Sequence, residues 1–399
     1  MESFTELRDR LNEYFDSDLQ KRFQLQGAIG KGSYSIAWKL SYQPKHAIGF
    51  PNASGSTLAG DRRYIVLKTE KAAFMDPSSS DSDSDVDMLS SEGRDSLEDE
   101  KRWMRTLQWA EHIMKMETMP SDPLQELQDP DHPTWLYLEW IENGTLNAFI
   151  EKASRRLHRL PNRLLWRFFL CLLRMCIAMA WPPGKPADNS PVVEVIGGGR
   201  PGALHHGDFH DGNVMIGAIE MNPEETEHDL VPMLKLIDWG AASNYDESSS
   251  GAGPATGETA VTENIYDVGK LMAELATLDQ DLSEKLYPER GETRDFQISA
   301  GGKFMRTTAV ELLPSFGLKP LAPHLDELLR SIICACLASE PSNRPSLGGL
   351  VTLVSRAVSE RDVEYYWEQA RQGRDINPYE ETYEEIQWLI RNLLLDADT

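Results

Sequence analysis

His206-Gly207-Asp208-Phe209-His210-Asp211-Gly212-Asn213 runs on into Val214-Met215-Ile216 and is answered downstream by Leu236-Ile237-Asp238-Trp239-Gly240. These two stretches decide how the 399-residue sequence reads. Each sets carboxylate or amide oxygens beside a short apolar run, so a rigid strand would carry each group. Asp208 is a candidate proton acceptor, and Asp238 with the Asn213 amide supplies hard oxygen donors of the kind that suit Mg²⁺. An Asp-x₄-Asn spacing is common by itself. Its weight comes from what precedes it in the chain.

Upstream, Phe23–Leu40 alternates like two strands around the turn Gly30-x-Gly32-x-x-Ser35. Glycines there would let backbone N–H groups approach phosphate oxygens, although an ordinary hairpin also explains such a turn. It is not a Walker loop, which needs Gly-Lys-Ser/Thr opening a helix. Tyr64-Ile65-Val66-Leu67-Lys68 predicts a strand ending in Lys68. A surface lysine would fit equally well unless a carboxylate on the next helix, predicted at 96–116, meets it. Glu100 is the best-placed partner and Glu98 the competitor; such a pair would aim the ammonium at the α/β-phosphates of a nucleotide.

The remaining pattern predicts a helix at 4–15 and a strand at 135–141 ended by Glu142-Asn143-Gly144. Helices follow at 145–158, 162–181, 264–279, 322–338 and 346–359, with polar loops at 182–203, 217–232 and 243–261. The expected fold class is therefore α+β, two lobes with a β-rich N-terminal part and a mainly helical C-terminal part, hinged near Glu139–Asn143. Residues 1–22 read as an N-terminal helical extension, 23–143 as the first lobe, 144–358 as the second and 359–399 as an acidic amphipathic tail that packs back on the core. Residues 76–96 read as a disordered Ser/Asp insert, since Asp76–Glu100 holds about ten acids against one Arg.

A formal net charge of −24 argues against nucleic acid and anionic membrane as partners. The four cysteines, Cys171, Cys176, Cys334 and Cys336, lie in apolar helical stretches without metal-ligand spacing and read as reduced core thiols. The most apolar run, Phe168–Trp181, is interrupted by Arg174 and too short to span a bilayer. With no signal peptide, the expectation is a soluble intracellular protein, cytoplasmic or nuclear. Oligomeric state is left open.

In this order the motifs resemble the protein kinases over residues 23–358. Gly30/Gly32 look like the glycine-rich loop, Lys68 like the third-strand lysine and Glu100 like its partner on the C helix. Leu138-Glu139-Trp140-Ile141 resembles the gatekeeper and adenine hinge, His206–Asn213 the catalytic loop and Asp238-Trp239-Gly240 the DFG motif. Asn264–Gly269 looks like the start of the F helix, and Cys336–Pro345 with Arg344 like the C-terminal signature. The resemblance implies a small antiparallel β-sheet lobe with a C helix and a larger helical lobe. It implies ATP and Mg²⁺ as cofactors, with Gly30, Gly32, Ser35, Ala37, Lys68, Leu138, Glu139 and Ile141 around the nucleotide and Asn213 and Asp238 on the metal. Catalysis would fall to Asp208 as base, with Lys68, Glu100 and His210, and the acceptor would be a protein hydroxyl.

Departures from the pattern leave alternatives open. Gly207 stands where many kinases have Arg, and His210 where serine/threonine kinases have Lys. Asn264 replaces the F-helix Asp, no Ala-Pro-Glu occurs, and Arg344 needs a substitute carboxylate such as Glu258 or Glu263. His-Gly-Asp-x-His-x-x-Asn with Ile-Asp-Trp is also the pattern of aminoglycoside/choline phosphotransferases. A small-molecule kinase on the same fold and a pseudokinase acting as a nucleotide-binding or scaffold module are the alternatives.

Overall fold

Alternation in the N-terminal sequence is realised as strands because apolar residues, several of them β-branched or aromatic, recur at alternate positions. The computed structural model describes residues 4–394 except 33–34, 44–61, 71–96, 121, 128–134, 219–226, 245–256, 287–291, 299–301 and 315–319. The predicted insert at 76–96 therefore lies outside the described residues. Two compact units emerge. One comprises Met1–Gln108, Met114–Trp140 and Trp239–Ala241; the other comprises Trp109–Ile113, Ile141–Asp238 and Ala242–Thr399.

In the first unit, helix α1 (Phe4–Ser17) precedes β1 (Phe23–Lys31), β2 (Ser35–Tyr42), β3 (Arg63–Glu70), α2 (97–107) and β4 (Trp135–Glu139). The strands form one antiparallel sheet in sequence order. Trp38 pairs with Leu67 and Leu40 with Ile65, and these face a core completed by Leu7, Leu11 and Phe15 of α1. The period of two then puts Ala37, Lys68, Val66, Leu136 and Leu138 on the other face, since Ala37 pairs with Lys68, Lys68 with Leu136 and Val66 with Leu138.

The helix predicted at 96–116 stops at 107. Its apolar spacing continues through Ala110 and Met114, but the chain after Leu107 is captured by bridges instead. Ala110 pairs with Val192, Ile113 with Leu236 and Met116 with Leu138. Tertiary pairing outweighs local helical periodicity here.

The second unit is mainly helical: α3 (Leu146–Arg156), α4 (Asn162–Ala180), α5 (Gly257–Thr277), α6 (Leu282–Lys285), α7 (Glu327–Cys336), α8 (Leu347–Glu360), α9 (Val363–Arg371) and α10 (Tyr383–Leu394). Small two-stranded sheets pair β5 (Leu204–His205) with β8 (Ser243–Asn244), β6 (Val214–Ile216) with β7 (Leu234–Leu236) and β9 (Arg294–Phe296) with β10 (Met305–Thr307). Only Arg163 and Arg174 of α4 escape burial, so α4 is the central helix of this unit. Among the described residues no helix is long and apolar enough to cross a membrane.

Two helix starts differ from the sequence expectation. α5 begins at Gly257, not 264, because Ala260 and Val261 extend its buried stripe by two turns. α7 begins at Glu327, not 322, where the Asp326 carboxylate caps the amides of Leu328 and Leu329. The C-terminal tail folds back as expected: the Trp166 Nε1–H donates to the Tyr366 hydroxyl at 3.1 Å. Glu381 accepts the amides of Asn162 and Arg163 at 2.8 and 2.9 Å, capping α4, whose own N-cap is Pro161.

Candidate active site

Lys68 sits on β3 with its Nζ 2.7 Å from Glu100 Oε2, both side chains largely buried at 12% and 2% exposure. The competitor Glu98 is mostly exposed and lies 3.9 Å from Lys101. The sequence left these two open, and the geometry selects Glu100. Such a shielded pair is rigid, because breaking it would strand a charge out of water. Gly30 pairs with Ala37, and Gly32 N–H closes on the Ser35 carbonyl at 2.9 Å. The tip of that turn, 33–34, lies outside the described residues. Leu138 is buried in β4, and the Glu139 amide donates to the Lys115 carbonyl at 3.0 Å while Glu139 Oε1 accepts the Lys115 amide at 2.8 Å. Ile141 belongs to the second unit and is buried.

In the second unit the loop after β5 is built around His206. Its ring is wholly buried; Nδ1 accepts the Asp208 amide at 3.3 Å, which leaves Nε2–H to donate to the Ile237 carbonyl at 3.0 Å. Burial pulls this histidine down to about 4, against that hydrogen bond and the nearby carboxylates, so it stays neutral. Asn264 from α5 holds the loop from below, accepting the His206 amide at 3.3 Å and donating to the Leu204 carbonyl at 3.0 Å. An amide does here what the expected Asp would do, using both of its ends. Gly207 has φ +77°, a left-handed conformation that a side chain strains, which accounts for glycine at this position on backbone grounds alone.

Asp208 presents a half-exposed carboxylate. Asn213 Nδ2 donates to both its carbonyl oxygen and its Oδ2, at 2.9 and 3.0 Å. That fixes the amide orientation and turns Asn213 Oδ1, an acceptor, the other way. Asn213 is itself buried, and its carbonyl accepts the Ile237 amide at 2.9 Å, continuing the β6–β7 ladder. The next residue, Asp238, has φ +62°, rare for a side-chain-bearing residue. Strained backbone of this kind concentrates at functional sites.

His210 caps the short turn Asp211–Asn213, its Nδ1 accepting the Gly212 amide at 3.1 Å and its Nε2 3.5 Å from Asp208 Oδ2. Hydrogen bonding to Asp211, more than the opposing burial, together with the charge of Asp208, holds its pKa above the ordinary histidine value. A Cβ on Gly212 would stand 2.7 Å from His210 Cε1, so this glycine makes room for the imidazole. Asp208 and His210 open onto a cleft of about 810 Å³ lined also by Asp267, Lys270, Glu274 and Arg344.

Compared with known proteins, the sequence matches no family model and no curated protein. Within the second unit, Asp208, His210, Asn213 and Asp238 are brought to one end of the β6–β7 hairpin, and within the first unit Lys68 meets Glu100. Arg344 finds its carboxylate in Glu263, at 3.0 Å, and also donates to the Thr262 carbonyl.

Sequence reasoning missed a second polar cluster, His112, Glu194, Cys171 and His228, buried in the second unit. Burial pushes the Cys171 thiol up, but the His228 charge and the neighbouring His112 outweigh it and bring it to about 6. For His112, Glu194 overrides burial and raises the pKa to about 10. The chain segments that supply this cluster were read as a helix end, two loops and a core thiol. No local spacing joins them.

Proposed function

We propose that this chain is an ATP- and Mg²⁺-dependent phosphotransferase of protein-kinase-like fold, transferring the γ-phosphoryl group to a protein hydroxyl. The observation that carries the reading is the tie from His206 through Ile237 to Asn213, which gathers Asp208, Asn213 and Asp238 at one hairpin end. The donor set fits the metal: Asp238 offers a carboxylate and Asn213 an oriented amide oxygen, both hard ligands. Bound there, Mg²⁺ would neutralise phosphate charge and ATP would supply the phosphoryl group.

The chain's own residues divide the work. Lys68, aimed by Glu100, would hold the α/β-phosphate oxygens. Asp208, steadied by the Asn213 amide, would accept the proton of the attacking hydroxyl. His210 Nε2–H, beside Asp208, would donate a hydrogen bond to the transferring group. The sheet face that carries Ala37, Val66, Lys68 and Leu138 would offer apolar surface to the adenine side of the nucleotide.

The Arg344–Glu263 pair supports the protein acceptor, because it completes the motif that resembles the C-terminal signature of protein kinases. A second reading, transfer to a small alcohol, is favoured by the cleft beside Asp208, whose size falls in the range of small-molecule sites. Purified chain incubated with Mg²⁺ and γ-labelled ATP, over a panel of proteins and small alcohols, should transfer label to protein. Label on small alcohols only would move the assignment to the second reading. Absence of transfer to either would leave the scaffold alternative.

A further inference from the structure

Four segments distant in sequence close on one sealed spot in the second unit. Cys171 and Arg174 leave α4 one turn apart, on one face. Arg174 donates to the Glu194 carbonyl oxygen and pairs with the Glu227 carboxylate, drawing two loops over the thiol. One loop brings the Glu194 side chain and the other brings His228, next to Glu227. Glu194 Oε1 accepts the His112 amide at 2.8 Å, and its Oε2 lies 2.7 Å from His112 Nδ1. Cys171 Sγ stands 3.9 Å from His228 Nδ1, and one donor atom from each of His112, Cys171 and His228 lies within 4.8 Å of the others. Exposure is 0% for His112, 1% for Cys171 and Glu194, and 8% for His228.

Hydrogen bonding leaves this cluster unfinished. Glu194 engages His112 Nδ1, so Nε2 is the ring's remaining polar atom, and among the described residues no hydrogen bond meets it. A sealed polar atom left so has lost its water without gaining a partner. A carboxylate on the far nitrogen is how proteins orient a histidine toward a metal. A thiolate with two imidazoles suits Zn²⁺ and excludes the hard ions Mg²⁺ and Ca²⁺. The observed sulfur–nitrogen separation is near the edge of about 3.6 Å that Zn–S and Zn–N bonds subtend at a tetrahedral angle. Two positive charges on the ion would also balance the thiolate and the Glu194 carboxylate.

We propose that His112 Nε2, Cys171 Sγ and His228 Nδ1 bind a structural zinc-class ion, with a buried water as fourth ligand and Glu194 orienting His112. The ion would act on the strand that delivers Asp238. The His112 carbonyl accepts the Leu236 amide at 2.9 Å, and Ile113 bridges the same residue, two positions before Asp238. The site does not depend on the phosphotransfer reading.

Its test is the metal content of the full chain, expressed in zinc-supplemented medium and purified free of tags and chelators. About one zinc per chain is expected in the wild type, and none in Cys171→Ser or His112→Gln. Should those variants fail to fold, wild type grown with Co²⁺ in place of Zn²⁺ decides the matter. It should show the visible bands of tetrahedral cobalt and a near-ultraviolet thiolate-to-cobalt band. A wild type that is metal-free from zinc medium and colourless from cobalt medium overturns the site, as does undiminished zinc in both folded variants.

Discussion

The second unit holds two polar clusters that grip the same strand, and they differ in almost everything else. On one side the His112 carbonyl holds Leu236; on the other, Asn213 and His206 hold Ile237. The loop cluster keeps Asp208 and His210 about half exposed, at 55% and 52%, above a cleft. The His112–Glu194–Cys171–His228 cluster is sealed. Solvent access separates the proposed roles, since a base must reach its substrate whereas a sealed cluster can only support its surroundings.

The largest expected effect would break or uphold this division. Asp208→Asn should lower kcat by about 10³–10⁴-fold, the upper range for a general base, while leaving thermal unfolding essentially unchanged. Cys171→Ala should act mainly on the other quantity, destabilising the chain while the residual folded protein loses far less turnover than Asp208→Asn. Paired melting and kinetic measurements on the two variants check this, and a stability loss in Asp208→Asn to match its activity loss would erase the contrast.

A second contrast lies inside the loop cluster. His206 is buried and held down to about 4, whereas half-exposed His210 is shifted upward. The unfolded state therefore binds the His206 proton first as pH falls. Stability from His206 is full above about pH 6.5 and declines toward pH 4, by up to about 3 kcal/mol. His210 works the other way, but weakly, because solvent screens it. Imidazole NMR titration should show one ring silent from pH 8 to 5 and the other titrating above the ordinary histidine value. Urea midpoints should drop over the acid window; titration of His206 near its ordinary value would contradict the burial argument.

A smaller effect is expected at Gly212. Gly212→Ala should displace the His210 ring and cost about tenfold in kcat through mispositioning, with KM for ATP little changed. An unchanged kcat would remove His210 from the machinery.

The loop cluster was legible in the sequence because eight consecutive residues and one strand end carry it. The Lys68–Glu100 pair was legible because strand period and helix order narrow the partner to two carboxylates, and Arg344–Glu263 because few acids lie near. The sealed cluster was not legible. Its four side chains come from four segments, two of them loops, and His112 was hidden by a helical periodicity that continues past residue 107 although the chain does not. Local patterns report local structure, whereas the bridges of 110, 113 and 116 are long-range pairings with no local signature. The left-handed backbone of Asp238 was equally silent, since asparagine and aspartate tolerate it without a flanking motif.

Calorimetric titration of ATP into the full chain, with and without Mg²⁺, reads the proposed nucleotide site itself. Mg²⁺-dependent binding is expected in the wild type, with loss of the Mg²⁺ dependence in Asp238→Asn and marked weakening in Lys68→Met, all three proteins remaining folded. Absence of nucleotide binding by the folded wild-type chain, or Mg²⁺-dependent binding unchanged in Asp238→Asn, would contradict the proposal.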